Sequence, residues 1–289
     1  MKPPPFEYRR PNTLDEALGL LTEHGDEAKV LAGGQSLISL LNFRLARPAL
    51  LVDIGQLAQL QELDRIKDKL SIGPIVTHHT TEMAANDPRF GGYGALPRTA
   101  EWIGHLPIRT RGTFGGSVVH GDPAAEWPLL CSALDARLTL MSEAGTRTVP
   151  VDDFYVGFLT TCMAADELLV GIHFDRPPMG ASLTEFSRRR GDFAIVAVAA
   201  SLEWSSDGRC TAARIAVGGV DSIPLRLPAA EAVLVGEPLD HQAMIEAATV
   251  AATSVAPSSD MHGSSQYRRH LVRVLTEKAL NEAYGAVAA

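Results

Sequence analysis

A turn between a strand-like and a helix-like segment is the most informative stretch of this sequence. It lies at residues 29–37 and reads KVLAGGQSL. The aliphatic residues before the two glycines favour a short strand, and the apolar spacing from Leu37 to Leu45 favours a helix. Glycine permits positive φ angles and a close approach of the backbone to another group. The pattern predicts a strand-to-helix turn at Gly33 and Gly34.

Two interpretations of this turn remain open from the local pattern alone. Successive backbone N–H groups at the start of a helix can form a concave anion site, and the Ser36 hydroxyl adds a donor. Diphosphate is the natural ligand for that geometry. Tight packing explains the same glycines without any ligand, because a single glycine motif is weakly specific.

The sequence on either side predicts a compact β-α-β-α-β unit over residues 1–55. A capping box at Thr13-Leu14-Asp15-Glu16 opens the first helix, which ends at His24-Gly25. The second helix is predicted over residues 37–45. The three predicted strands lie at 6–8, 29–31 and 50–54.

A second glycine-rich turn follows about 80 residues later, at Thr113-Phe114-Gly115-Gly116-Ser117. A polar loop at residues 109–112 precedes it, and a helix over 123–132 follows, with Asp122 as a possible N-cap. Two such turns can grip one extended ligand from two subdomains. The other elements predicted in this region are strands at 70–73, 136–141 and 168–174 and helices at 80–85 and 94–103.

A proline- and glycine-rich stretch at residues 176–180 predicts a domain boundary. The segment beyond it contains three strand patterns followed by three helix patterns, which predicts a separate α+β domain. The strands are predicted at 183–189, 195–204 and 211–217, and the helices at 229–234, 241–252 and 266–284.

Composition excludes several classes of protein. The chain has 289 residues, of which 46% are hydrophobic and 21% charged, as in ordinary globular proteins. Its net charge of −8 argues against nucleic acid as the main partner. The three cysteines, Cys131, Cys162 and Cys210, are too few to ligate an iron–sulfur cluster or to build a disulfide scaffold.

The sequence lacks the common catalytic and metal-binding motifs. No Gly-x-Gly-x-x-Gly, Gly-Lys, Gly-x-Ser-x-Gly or His-Glu-x-x-His motif occurs. His78 and His79 form the only histidine pair, and neighbours on a strand point to opposite faces. We therefore predict no metal site, and we interpret Cys131 and Cys162 as core residues, not nucleophiles.

The N-terminal residues MKPPPF lack the apolar core of a secretory signal. The longest purely apolar run, at residues 194–200, is far shorter than the roughly 20 residues that span a bilayer. We therefore expect the protein in the cytoplasm.

Several segments together carry a family resemblance. They read AGGQSL at 32–37, NFRLARP at 42–48, IRTRGTFGGS at 108–117, HGDPAAE at 120–126 and GDFA at 191–194. In this order and spacing they resemble the FAD-binding medium subunits of molybdenum hydroxylases, the family of aerobic carbon monoxide dehydrogenase and xanthine dehydrogenase. The resemblance covers essentially the whole chain.

The resemblance implies an α+β fold with two domains. Residues 1–178 would form an FAD-binding domain of the PCMH or vanillyl-alcohol-oxidase type, with subdomains at about 1–55 and 56–178. Residues 179–289 would form the C-terminal domain of these flavoprotein subunits, with a small antiparallel sheet and helices.

The resemblance also implies the residues that bind FAD between the two subdomains. The first turn would hold the diphosphate through Ala32, Gly33, Gly34, Gln35, Ser36 and Leu37. The second would complete the grip through Thr113, Phe114, Gly115, Gly116 and Ser117. By family position, Ile103 packs near the adenine part, Glu126 replaces an acidic contact that is often Asp, and Val170 is an apolar strand residue lining the site.

For the remaining candidate residues, the sequence leaves two interpretations open or favours a purely structural role. The arginines of the run SRRRGD at 187–192 are favoured as solvated strand and turn residues; the alternative places them near the flavin ring or a partner subunit. Packing roles are expected for Trp102, Trp127 and Trp204, and a core position for Met163.

By resemblance, the function is electron transfer within a larger oxidoreductase. A small subunit with two [2Fe–2S] clusters would supply electrons, and a large molybdopterin subunit would oxidise the substrate, in a dimer of heterotrimers. No residue of this chain is required as a general acid or base, so we predict no catalytic residue. The alternatives are a stand-alone flavin oxidoreductase with its own substrate pocket and a non-enzymatic binding module.

Overall fold

A computed structural model of the chain describes residues 2–285. Met1 and residues 286–289, at the outer ends of the two predicted domains, lie outside the described residues. The strands are β1 (Glu7–Arg9), β2 (Ala28–Leu31), β3 (Leu50–Asp53), β4 (Leu63–Ile66), β5 (Lys69–Ile72), β6 (Arg137–Ser142), β7 (Gly145–Pro150), β8 (Tyr155–Gly157), β9 (Thr160–Thr161), β10 (Leu168–Phe174), β11 (Gly180–Phe186), β12 (Val196–Trp204), β13 (Cys210–Gly218) and β14 (Leu225–Arg226). The helices are α1 (Leu14–His24), α2 (Leu37–Asn42), α3 (His78–Glu82), α4 (Ala95–Ala100), α5 (Leu106–Arg109), α6 (Phe114–His120), α7 (Glu126–Ala133), α8 (Pro228–Leu234), α9 (His241–Thr253) and α10 (Ser265–Gly285).

The N-terminal unit has the predicted β-α-β-α-β order. Its three strands are parallel and lie in the order β1-β3-β2. The Thr13 hydroxyl oxygen accepts from the N–H of Glu16 at 3.1 Å, which confirms the predicted N-cap of α1. The reciprocal bond of the capping box instead joins the Glu16 carboxylate to the N–H of Asn12 at 2.8 Å.

The prediction that the second helix reaches Leu45 is wrong, because α2 ends at Asn42. Arg44 adopts the left-handed conformation, with φ of 60°, and the Leu45 N–H donates to the Leu40 carbonyl at 2.9 Å. A left-handed residue just after a helix turns the chain away and satisfies a free carbonyl at its end.

The second subdomain rests on an antiparallel sheet with the order β4-β5-β10-β6-β7. The short helices α3 to α7 lie between β5 and β6 in the chain and supply much of its core. In α7, the residues from Trp127 to Ala133 are all buried. This helix lies between the sheet of the second subdomain and the C-terminal domain, because it also contacts β12 and β13.

The C-terminal domain is an antiparallel sheet, in the order β11-β12-β13-β14, packed against α8, α9 and α10. Its small residues Ala197, Ala199 and Ala216 face the core of the second subdomain. The opposite face, with Val198 and Val217, packs against the helices. None of the helices within residues 2–285 has the length and apolarity that crossing a bilayer requires.

Two predicted boundaries in this part of the chain are wrong. Helix α7 begins at Glu126 with Ala125 as its N-cap, not at residue 123 after Asp122. The Asp122 carboxylate accepts from the Ala124 N–H at 2.8 Å, and therefore stabilises the turn before the helix. Strand β11 begins at Gly180 and ends at Phe186, three residues before the predicted end.

A substitution of Gly180 tests how closely α10 packs on this sheet. A Cβ atom at this position would clash with the Ala283 carbonyl oxygen and lie 2.9 Å from its carbonyl carbon. We expect Gly180→Ala to lower the free energy of unfolding by about 1–3 kcal/mol, because α10 must shift. Chemical denaturation followed by circular dichroism measures this change.

The matched control is Gly157→Ala, where the nearest atom to the new Cβ is Thr160 Cβ at 3.9 Å. Equal unfolding free energies for the two variants would contradict the proposed packing constraint.

Candidate functional site

A cavity of about 660 Å³ lies where the two subdomains and the C-terminal domain meet. Its size falls within the range of about 300–1,000 Å³ typical of small-molecule and cofactor sites. The first subdomain contributes the turn at 32–37, and the second contributes residues 112–113, 115–117 and 168–169. The C-terminal domain adds residues 191–193. The wall is therefore formed by segments far apart in sequence.

The first turn leaves a row of backbone N–H groups free beside the cavity. Within residues 2–285, the N–H groups of residues 33–37 have no hydrogen-bond acceptor. Gly34 has φ of 73°, a conformation that favours glycine. The Gln35 side chain donates to the Gly33 carbonyl at 3.3 Å. Because this bond uses a backbone carbonyl oxygen, it leaves the backbone N–H groups of the turn free. Such a run of free amides is an anion-binding nest.

The two glycine-rich turns meet at Gly33. A Cβ atom there would clash with the Arg111 carbonyl oxygen and lie 2.8 Å from Gly112 Cα. A Cβ atom on Gly116 would lie 3.8 Å from Ala32 Cβ. The turns from the two subdomains are thus in contact.

Arg109 fixes the loop that leads into this contact. Its guanidinium forms a bidentate pair with the Glu82 carboxylate, at 2.9 and 3.1 Å, and donates to the Gly104 carbonyl at 3.1 Å. Both partners of the ion pair are largely shielded from water, which strengthens such a pair. The His78 N–H donates to the Gly112 carbonyl at 3.0 Å and holds the far end of the loop.

The second turn differs from the first in how its amides are used. It forms the first turn of α6, with Thr113 as the N-cap. The Gly116 N–H donates to the Thr113 hydroxyl at 3.0 Å, the Ser117 N–H to the Thr113 carbonyl at 3.1 Å and the Gly115 N–H to the Pro74 carbonyl at 2.8 Å. This turn therefore brings backbone close to the cavity but provides no second nest.

A buried aromatic group lies behind the second turn. Phe114 stacks on Trp127 at 4.3 Å between ring centroids, and both side chains are fully buried. The Trp127 indole N–H donates to His78 Nδ1 at 2.8 Å. This bond requires the tautomer of neutral His78 that carries its proton on Nε2. Burial, together with the charge of Arg109, lowers the pKa of His78 to about 4.

Acidic groups mark one side of the cavity. Glu126 lies on the wall at the start of α7. Burial raises the pKa of its carboxyl group to about 7, and the nearby charge of Asp122 contributes to the rise. Burial lowers the pKa of His120, which also lines the cavity. Both Glu126 and His120 thus have environments that disfavour their charged forms.

The cavity wall includes most of the predicted binding residues. Ile103 and Glu126 are on it, as are the residues of both turns with the exception of Phe114. Phe114 points into the core against Trp127, so its predicted direct contact is replaced by a packing role. Val170 is also not on the wall. It packs against the core cluster of the N-terminal unit, and the wall residues of β10 are Leu168 and Leu169.

Other sequence interpretations are met in part or change in the structure. Met163 packs against the core cluster, as interpreted, and also lines the cavity. Trp102 is 41% exposed and lies under the Arg190 guanidinium at 5.5 Å, so its interpretation as a packing residue is wrong. Phe193 also lines the cavity although its side chain is 71% exposed, and only the resemblance around Gly191 pointed to this segment.

The histidine pair lies on α3, not on a strand as the sequence interpretation assumed. His78 contacts Trp127, and His79 Nδ1 lies 3.0 Å from the Glu82 carboxylate. Sequence spacing gave no sign of the role of His78, because its partner is 49 residues away along the chain.

These residues fit a dinucleotide cofactor. Free amides at residues 33–37 are donors for a diphosphate. Apolar side chains such as Ile103 and Leu169 flank the same cavity, as a ring system requires.

Comparison with known proteins agrees with this geometry. Residues 4–177 match the family described as the FAD binding domain in molybdopterin dehydrogenase, and residues 181–283 match the CO dehydrogenase flavoprotein C-terminal domain. The chain belongs to the FAD-binding medium subunits of the molybdenum hydroxylases. It is therefore an FAD-binding, electron-transferring subunit of a multisubunit oxidoreductase.

Individual members of the family match along nearly the whole chain. The 6-hydroxypseudooxynicotine dehydrogenase complex subunit alpha of Paenarthrobacter nicotinovorans is 38% identical over 98% of this chain and 96% of its own length. The crystal structure of quinoline 2-oxidoreductase from Pseudomonas putida 86 matches with a TM-score of 0.92 and 36% identity, covering 100% of both chains.

A carbon monoxide dehydrogenase structure from Hydrogenophaga pseudoflava, which lacks the Mo-pyranopterin moiety of its molybdenum cofactor, matches with a TM-score of 0.93. It is 32% identical and covers 99% of each chain. The domain arrangement of the medium subunit is thus shared by members whose names give different substrates.

The hydrogen bond from Trp127 to His78 predicts that its removal lowers the free energy of unfolding. Trp127→Phe removes the indole N–H and leaves buried His78 Nδ1 without its donor. We expect a loss of about 1–3 kcal/mol in the free energy of unfolding, measured by chemical denaturation. The control is Trp102→Phe at the surface, for which we expect a change within about 0.5 kcal/mol. Equal losses would contradict the assigned role of the bond.

The lowered pKa of His78 predicts that this side chain stays neutral at pH values where an exposed histidine is protonated. Its folded pKa of about 4 lies below the ordinary value of 6.5, so the unfolded chain takes up the proton first. The stability contributed by neutral His78 is therefore present above pH 6.5 and is lost as the pH falls toward 4. NMR of histidine-labelled protein should show His78 uncharged at about pH 6. A midpoint near 6.5 would exclude the buried, neutral state.

Proposed function

We propose that FAD binds in the cavity between the subdomains with its diphosphate against residues 32–36. The observation that carries this placement is the row of N–H groups at 33–37, which have no acceptor within the described residues 2–285. FAD held by residues 32–36 would supply the redox chemistry that links the iron–sulfur clusters of a partner subunit to an external electron acceptor. The chain itself binds the cofactor, orients it and excludes water.

The second turn positions the cofactor by shape. Because the amides of Gly115 and Gly116 bond within the protein, this turn contributes a close backbone surface and the hydroxyls of Thr113 and Ser117. We place the adenine part near Ile103, by the family resemblance and its position on the wall. Glu126 is an acceptor for a cofactor hydroxyl, which its position on the wall supports.

We also propose the composition of the complex. The relatives are named as subunits or medium chains of dehydrogenases and of a hydroxylase, which supports assembly with other chains. With three cysteines, this chain relies on a small subunit for the two [2Fe–2S] clusters and on a large subunit for the molybdopterin cofactor. We propose a dimer of heterotrimers in the cytoplasm, where the free thiols of Cys131, Cys162 and Cys210 suit a reducing environment.

Purification of the native complex tests this composition. We expect three co-purifying chains, with FAD, iron and molybdenum in the same fraction. A single chain that turns over an organic substrate without iron or molybdenum would instead support a stand-alone flavin oxidoreductase.

Substitutions in the two turns test the placement of FAD. In Gly33→Val the new side chain clashes with the Arg111 backbone, and in Gly116→Val it lies 2.6 Å from the Thr113 hydroxyl that caps α6. We expect both variants to lose FAD, measured as the ratio of bound flavin to protein and by FAD titration. Full flavin occupancy in both would overturn the two-turn model.

The matched control is Gly19→Ala on α1, where the new Cβ would meet only the Glu143 carboxylate at 3.5 Å. We expect full FAD occupancy in this variant. Circular dichroism and thermal unfolding of all three variants separate loss of FAD from loss of the fold.

A further inference from the structure

One buried guanidinium in the C-terminal domain bonds to two segments that reach the cofactor cavity. Arg268 lies near the start of α10 and is 7% exposed. Its Nη1 donates to the Ile195 carbonyl at 2.6 Å and to the Gly219 carbonyl at 2.7 Å. Its Nη2 donates to the Asp260 carboxylate at 2.7 Å. One side chain thus joins three stretches of chain that are far apart in sequence.

The first of these segments is the loop between β11 and β12, at residues 187–194. The Ile195 N–H donates to the Phe186 carbonyl at 2.8 Å and closes the base of this loop. Residues 191–193 of the loop are the part of the C-terminal domain that lines the cavity. The carbonyl that Arg268 binds is therefore close along the chain to the cavity wall.

The second segment is the turn that follows β13. Gly219 adopts φ of 77°, and its N–H donates to the Pro123 carbonyl at 3.3 Å. Pro123 lies in the turn that leads to Glu126 on the cavity wall. A Cβ atom on Gly219 would clash with the Ile195 carbonyl oxygen. The two segments that Arg268 binds are therefore also in contact with each other.

Asp260 holds the guanidinium in this position. One oxygen of its carboxylate accepts from Arg268, and the other accepts from the N–H groups of His262 and Gly263, at 2.8 and 3.0 Å. The carboxylate is thereby fixed on its own turn. Because both partners are charged, the bond to Arg268 is stronger than one between neutral groups.

The loop at 187–194 depends on polar contacts for its position. It buries little apolar surface, since the Phe193 side chain is 71% exposed, and such loops open easily. Two of its arginines contact protein on opposite sides. Arg188 donates to the Met261 carbonyl at 3.0 Å, and the Arg190 guanidinium lies over the ring of a second-subdomain tryptophan. At its base, the loop is held by Arg268.

We propose that Arg268, held by Asp260, is a positioning residue for the cofactor cavity. Arg268 is not on the cavity wall, so it acts through the segments that it binds. It fixes the loop at 187–194 and the turn at Gly219 relative to each other, and so sets two parts of the wall. Without it, the loop would have to be ordered when FAD binds, and this ordering weakens binding. The inference rests on the proposed placement of FAD.

Two variants of Arg268 test the positioning role. Arg268→Met keeps much of the side-chain volume and removes every donor, whereas Arg268→Lys keeps a charged donor for the two carbonyls. The complex with its partner subunits is loaded with FAD, and the dissociation of FAD is followed. We expect FAD to dissociate at least about tenfold faster from Arg268→Met, and within about threefold of the native rate from Arg268→Lys. Equal rates in Arg268→Met and the native protein would contradict the proposal.

Hydrogen exchange of the flavin-free complex shows whether Arg268 acts on the loop itself. The Ile195 N–H bonds to the Phe186 carbonyl, and the Asp192 N–H bonds to the Arg189 carbonyl at 3.1 Å. In Arg268→Met we expect these two amides to exchange at least about tenfold faster, with native exchange in the middle of β12. An equal rise throughout the C-terminal domain would show a general loss of stability and would overturn the positioning role.

The matched control is Ser182→Ala. The Ser182 hydroxyl donates to the Ala279 carbonyl at 2.7 Å, which is a buried bond between α10 and the start of β11, away from the loop. Removal of this bond weakens the same domain without changing a contact of the loop. We expect the native rate of FAD dissociation and native exchange at Ile195. Dissociation as fast as in Arg268→Met would count against the proposal.

Asp260→Asn tests the same arrangement without removing a buried side chain. Asparagine keeps an oxygen for the N–H groups of His262 and Gly263 but loses the charge that holds Arg268. We expect FAD to dissociate about three- to tenfold faster and the loop to exchange faster. This variant decides the matter if Arg268→Met does not fold, and native behaviour in both measurements would overturn the proposal.

Failure of this inference is distinct from failure of the proposed placement. If Gly33→Val abolishes FAD binding while Arg268→Met keeps native loop exchange and native FAD dissociation, the cavity holds FAD and Arg268 has no positioning role. Full flavin occupancy in both Gly33→Val and Gly116→Val would instead overturn the placement, and this inference with it. Thermal unfolding of each variant confirms that the comparison is made between folded proteins.

Discussion

The backbone contact between the first turn and the loop before the second is the constraint on which the site depends. Gly33 lies so close to Arg111 and Gly112 that no side-chain atom fits between them. The loop on the far side cannot yield easily, because the Arg109 guanidinium is bound to Glu82 and the Gly104 carbonyl. Contact between the subdomains thus fixes the wall on which the free amides of the first turn lie.

The C-terminal domain completes the site through small residues. Its sheet approaches the second subdomain closely because Ala197, Ala199 and Ala216 lie at the contact. At Gly218, a Cβ atom would clash with the Pro123 carbonyl, in the turn that leads to Glu126. This close packing positions α7 and therefore the acidic side of the cavity. An apparently separate domain is in this way part of the cavity wall.

Much of the local structure could be predicted from sequence because the signals are short-range. The strand and helix periodicities predicted the β-α-β-α-β unit, and Thr13 identified the start of α1. The errors arose where a local signal competed with another contact. Asp122 has the residue type of an N-cap, but its carboxylate binds the turn at Ala124 instead. Arg44 adopts the left-handed conformation although it is not a glycine, so the sequence carries no signal for the end of α2 there.

The sequence by itself determined the family, the two glycine-rich turns and the impossibility of ligating an iron–sulfur cluster with three cysteines. These properties depend on residue type and order, which the chain carries directly. Only the tertiary structure decided which turn has free amides and why Phe114 turns away from the cavity. Burial and hydrogen-bond partners depend on distances between segments far apart in the chain, and residue order alone does not specify them.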